Sequence, residues 1–200
     1  MSELDLNPQP KKDPRMLAIG LAVAAAVLLA FAAFSKDWVA RPMSVGFGPM
    51  GCHDCNLLEF NKPGSMSNGA FVDMMRTMGE DGARHTSSAF APAGWITFGL
   101  CLIAVLGLLG AAGLAFAKKR PDLPVAPSSA ALLSIMVALI SGCVFVATKP
   151  GGPGFVGVSN GFWAFGIGAV MAIAAAQMLA KINRPVDPDL LDGAMNPEQY

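Results

Sequence analysis

The residues best suited to chemistry are Cys52-His53-Asp54-Cys55. Two cysteines three apart leave three fates open. In an oxidising compartment such a pair closes into a disulfide, the expected structural outcome, and this small loop would contribute little chain-entropy stabilisation. A C-x-x-C pair with a lowered thiol pKa can instead exchange disulfides, with Cys52 and Cys55 as the redox residues. Thirdly, Cys52, His53, Cys55 and His85 could supply a metal quartet. Met43, Met50, Met66, Met74, Met75 and Met78 add the soft thioethers that favour Cu(I). Covalent haem does not fit, because Asn56 stands where the attachment motif needs histidine.

The elements that must position this tetrad lie in a membrane. Residues 16–34, 93–117, 130–147 and 162–180 are apolar runs without a single Asp, Glu, Lys, Arg or His. Crossing a hydrocarbon core of roughly 30 Å takes about 17–25 helical residues, and lipid leaves only helices or closed barrels able to cross. The expected architecture is therefore an all-α, four-helix transmembrane bundle. Hydrophobic residues make up 54% of the chain and charged residues 14%, with zero net charge. Nucleic acid is accordingly not an expected partner; the lipid bilayer is. Spans without ionisable side chains also argue against a pathway for charged solutes.

Basic residues set the expected orientation. Lys11, Lys12 and Arg15 precede the first span, Lys118, Lys119 and Arg120 follow the second, and Lys181 and Arg184 follow the fourth. Four crossings place all of them on one side, which the positive-inside rule makes cytoplasmic. The tails 1–15 and 181–200 and the loop 118–129 then lie inside, at a cell membrane. The segments 35–92 and 148–161 lie outside. Trp38, Trp95 and Trp163 would all fall at the outer interface, where amphipathic rings anchor. Small residues around Ala30-Phe31-Ala32 also fit a secretory cleavage site, but the apolar run is long for a signal core.

Only 35–92 is large enough to form an extracytoplasmic subdomain. Trp38-Val39-Ala40 and 43–48 read as short strands interrupted by Pro42 and Pro49, and 61–69 as turns. In 70–78, Phe71, Met74, Met75 and Met78 recur at helical spacing. The segment should thus be a small strand-and-helix cap over the bundle.

Trp38, Gly46-Phe47-Gly48, the cysteine pair and a short helix carrying Arg76 together resemble the claudin and PMP22-like four-span superfamily. There a Trp follows the first span, a Gly-Leu-Trp element comes next, two cysteines are bridged within a short sheet, and an Arg-bearing helix leads toward span two. This chain departs by having Phe47 in place of a second Trp and a closer cysteine spacing. The resemblance implies a membrane organiser or adhesion-like protein, without a catalytic site or cofactor, that contacts other membrane proteins or itself. Quinone-linked thiol oxidases also have four spans and an outer C-x-x-C, but need a second outer cysteine pair. Residues 148–161 contain none, and Cys101 and Cys143 sit within spans.

Two further patterns carry no chemistry. Gly157-Val158-Ser159-Asn160-Gly161 matches G-x-S-x-G without the strand a nucleophile elbow needs. Glycines and alanines of spans two and four permit close helix approach, within the bundle or between protomers.

Overall fold

A computed structural model describes residues 13–40, 45–55, 64–79, 86–117, 125–150 and 157–183. Four long helices dominate: α1 (Pro14–Phe34), α3 (Phe90–Ala117), α4 (Pro127–Ala147) and α5 (Asn160–Ile182). All four are long and apolar enough to cross a membrane, with mean hydropathy of 2.7, 2.5, 2.5 and 1.8 in chain order. This is a multi-pass membrane protein in contact with the lipid bilayer. Each helix packs on the one before it, and α5 closes the ring against α1.

Side-chain size, rather than polarity, separates the inside of the bundle from its outside. Ala18, Ala22, Ala25 and Ala32 of α1 are buried, as are Ala169, Ala172, Ala175 and Ala176 of α5. Many of the larger side chains point outward, with Leu106 70% exposed, Leu133 68%, Ile140 67% and Val170 69%, while Leu29, Leu108, Ile135 and Leu179 fill the interior. Lipid tails are as apolar as leucine, so no hydrophobic gradient drives the helices together. Small residues let backbones approach and gain dispersion contacts instead. Gly107 and Gly168 belong to this system, since a Cβ at either would crowd the facing helix. Gly99, Gly113 and Gly166 have open space in front of them.

The polar groups of the spans are satisfied locally. The Thr97 hydroxyl bonds the Ala93 carbonyl at 2.8 Å, and the Ser141 hydroxyl of α4 lies 2.8 Å from it. This links α3 to α4. A double-mutant cycle with Thr97→Val and Ser141→Ala should return a coupling of about 0.6 kcal/mol, the usual size within a bilayer. On the side away from the cap, Asn183 donates its side-chain amide to the Ala111 carbonyl at 3.2 Å.

Between α1 and α3 lies the cap. Strands β1 (Val39–Ala40), β2 (Gly46–Phe47), β3 (Gly51–His53) and β4 (Met66–Ser67) form an antiparallel sheet in chain order. Val39 pairs with Phe47, Phe47 with Cys52, and Cys52 with Met66. Helix α2 (Asn68–Thr77) follows at once, its first turn capped by the Ser67 hydroxyl, which accepts from the Ala70 amide at 3.2 Å. The expected helix is present. The third and fourth strands are additions to the sequence reading, which took the second of them for turns. Strands of two or three residues are too short to show alternation, so only pairing reveals them.

Candidate functional site

The cap is seated on the bundle through aromatic rings contributed by α3, α4 and α5. Trp38 follows α1 and is fully buried. Its ring lies 5.9 Å from Phe145 of α4, and 5.8 and 4.7 Å from Phe162 and Phe165 of α5. Phe145 stacks at 4.6 Å on Phe90 of α3, and Phe90 meets Phe47 of β2 at 5.7 Å. Phe47 in turn meets Phe71 of α2 at 4.9 Å. The indole N–H of Trp38 donates to the Ala32 carbonyl at 2.7 Å, near the end of α1, where the Ser35 amide also reaches that carbonyl at 3.2 Å.

This arrangement corrects the placement of Trp38 as an interface anchor. The ring is enclosed by protein because its N–H has a partner there and four spans can wrap it. Trp95 and Trp163 lie differently, at 47% and 61% exposed.

The backbone around Trp38 is equally constrained. Its amide donates to the Phe47 carbonyl at 2.8 Å, and its carbonyl accepts from the Ser159 amide at 2.8 Å. Val39 also bridges Val158, joining the segment before α5 to the sheet. The G-x-S-x-G pattern is explained here. Gly157 takes a φ of +57°, and Gly161 leaves room for the Trp38 ring and the Asp37 carbonyl. Ser159 precedes α5 as its N-cap residue.

Within the tetrad, Cys52 and Cys55 are joined in a disulfide, and both are fully buried. Asp54 takes a φ of +52° to turn the chain between them. His53 points outward instead. Its Nε2 lies 2.6 Å from Asp37 and its Nδ1 lies 3.0 Å from Asp54. The side chain of Gly46 is absent where the His53–Asp37 pair lies across β2.

Two carboxylates on opposite ring nitrogens select the imidazolium, because a neutral ring has only one N–H to give. The hydrogen bond to Asp37, then that to Asp54, raises the His53 pKa above 6.5. A raised folded-state pKa adds stability below about 6.5, and this is lost as pH rises through the folded value. All three groups are partly exposed, so the effect should be a few tenths of a kcal/mol. The wild-type melting temperature should therefore fall slightly from pH 6 to pH 9, and His53→Gln should flatten that slope. An unchanged slope in the variant would show that the clamp carries no stability.

Three of the four candidate metal ligands are otherwise engaged. The disulfide consumes both thiolates, the two carboxylates occupy both nitrogens of His53, and His85 and Met43 lie outside the described residues. Among the described residues no three His, Cys, Asp or Glu side chains gather into a metal-ligating group. Cys101 and Cys143 are free, the first buried and the second exposed.

Two pockets remain. One of about 380 Å³ is an apolar groove between α3 and α4, lined by Pro92, Ile96, Ile140 and Val144 among others. The second, about 340 Å³, lies where α1, α3 and the sheet meet, and mixes Lys36, Ser65 and Ser67 with Phe34, Met50 and Trp95.

No family model matches the chain, and no curated protein matches it in sequence. The architecture thus defines it as a four-helix membrane protein with a disulfide-bearing sheet between its first two membrane helices.

Proposed function

We propose that the chain has a structural or accessory role in a cell membrane, with the cap as a recognition surface for other membrane proteins or for a second copy of itself. The observation that carries this reading is the attachment of the cap. Sheet and helix α2 are fixed to all four spans through Trp38, Phe47, Phe90 and Phe145, so the cap presents a preorganised surface. Rigid presentation lowers the ordering cost of association. The basic clusters support an extracytoplasmic cap with both termini inside.

The claudin and PMP22-like resemblance has support at the same level. A Trp after the first span, bridged cysteines within a short sheet, and an Arg76-bearing helix ahead of the second span all occur in that order. Phe47 takes the interior position beside them, packed on Phe71 and Phe90.

Thiol exchange is the competing reading, and the burial of both sulfurs weighs against it, because an attacking thiolate must reach one of them. A photo-crosslinking residue at Met78, which is 45% exposed on the cap, should give discrete protein adducts in intact membranes. The same residue at Leu106 in mid-span should give lipid adducts instead. Absence of a discrete adduct at Met78 would count against recognition. Recovery of a mixed disulfide from Cys52→Ser or Cys55→Ser would establish the redox reading in its place.

A further inference from the structure

We propose that the crevice between α1, α3 and the sheet binds an anionic glycerophospholipid from the leaflet that borders the cap. This does not depend on which protein the cap recognises. The crevice, about 340 Å³ in volume, joins two chemically different halves. On the membrane side stand Phe34, the last residue of α1, and Trp95 in the second turn of α3, respectively 59% and 47% exposed. Phe98, one turn deeper, meets both rings edge-on, at 5.4 Å from Phe34 and 5.9 Å from Trp95. An apolar wall therefore runs from the crevice down the α1–α3 seam, where acyl chains lie.

The cap side is polar and positive. Lys36 lines the crevice, is exposed, and pairs with no carboxylate among the described residues. Its neighbour Asp37 is turned to His53 at 2.6 Å, and Asp54 is held on the same ring at 3.0 Å. Both acids are thus engaged with His53 rather than with Lys36. Ser65 and Ser67 contribute hydroxyls. The Ser67 oxygen already accepts from the Ala70 amide, so its O–H remains available to donate to a phosphate oxygen. A cation and hydroxyl donors beside an exposed aromatic wall match a phosphodiester headgroup continuous with its chains. A free anion would leave the aromatic half unused. The net negative charge of the lipid is selected by Lys36, because a zwitterionic headgroup brings its own cation.

The test uses full-length protein carrying Trp163→Phe in nanodiscs, which leaves Trp95 as the exposed indole while Trp38 stays shielded. Brominated phosphatidylglycerol should quench Trp95 as though enriched about fivefold over brominated phosphatidylcholine at equal mole fraction. Lys36→Gln should bring that ratio close to one. Arg76→Gln, which removes an exposed cap charge away from the crevice, should leave it unchanged, as should millimolar glycerol phosphate. Melting temperatures of the variants confirm folding. Equal quenching by the two lipids would overturn the proposal, as would an unaffected ratio in Lys36→Gln. An equal loss in Arg76→Gln would mean diffuse surface charge, and competition by glycerol phosphate would mean an anion site indifferent to lipid; either result also overturns it.

Discussion

Replacing Trp38 with alanine should destabilise the protein by about 3–5 kcal/mol, enough to deplete it from the membrane. The side chain is fully buried among rings from α4 and α5, so truncation leaves a cavity that four constrained helices cannot close. It also removes the shorter of the two hydrogen bonds to the Ala32 carbonyl, leaving the 3.2 Å bond from the Ser35 amide. Trp38→Phe separates these contributions. It retains most of the packing and loses the N–H, so it should cost about 1–2 kcal/mol. Denaturant titration in mild detergent, followed by helical signal, measures both. If Trp38→Ala were as stable as wild type, the cap would not be held by its aromatic seat.

Substitutions at glycine should divide sharply by location. At Gly48 an added Cβ would fall on the Ser35 carbonyl and the Lys36 backbone, and at Gly161 on Trp38 and the Asp37 carbonyl. The Ser35 hydroxyl, also 2.6 Å from a Cβ at Gly161, could turn away, but the backbone atoms and the buried Trp38 ring could not. Gly48→Ala and Gly161→Ala should each cost about 2–4 kcal/mol, in the range where overpacking forces backbone shifts. Gly99→Ala and Gly166→Ala meet open space and should be neutral or stabilising by up to about 1 kcal/mol through helix propensity. Thermal melts of the four variants compare the two classes directly. Similar losses at all four would remove the distinction between glycines that admit the cap and glycines that only face lipid.

The parts of this architecture encoded by long runs were legible before any coordinates. Four apolar stretches without charge leave the bilayer as the only solvent, and Phe71, Met74 and Met75 repeat often enough to mark α2. The cap's sheet was half visible. Strands of two residues carry no period, so β3 and β4 emerge only from pairing with β2 and with each other. Trp38 was misplaced for a related reason. Proximity to a span end predicts an interfacial ring, whereas burial depends on Phe145, Phe162 and Phe165, which are distant in sequence. The Cys52–Cys55 bond was among the expected outcomes, but the partners of His53 were not. Asp37 reaches it across β2 at Gly46, a juxtaposition that only the register creates. Gly94-Trp95 and Gly161-Phe162-Trp163 play matching parts. In each helix a glycine admits a cap segment, and a tryptophan close behind it faces out.

The central claim is a four-span protein with its disulfide-bearing cap outside the cell. Met78 on the cap and Val125 at the opposite end, 45% and 61% exposed, are open to a label. In a background with Cys101 and Cys143 replaced by alanine, Met78→Cys should react with a membrane-impermeant maleimide in intact cells. Val125→Cys should react only after permeabilisation. Labelling of Val125→Cys in intact cells, or protection of Met78→Cys there, would contradict the account.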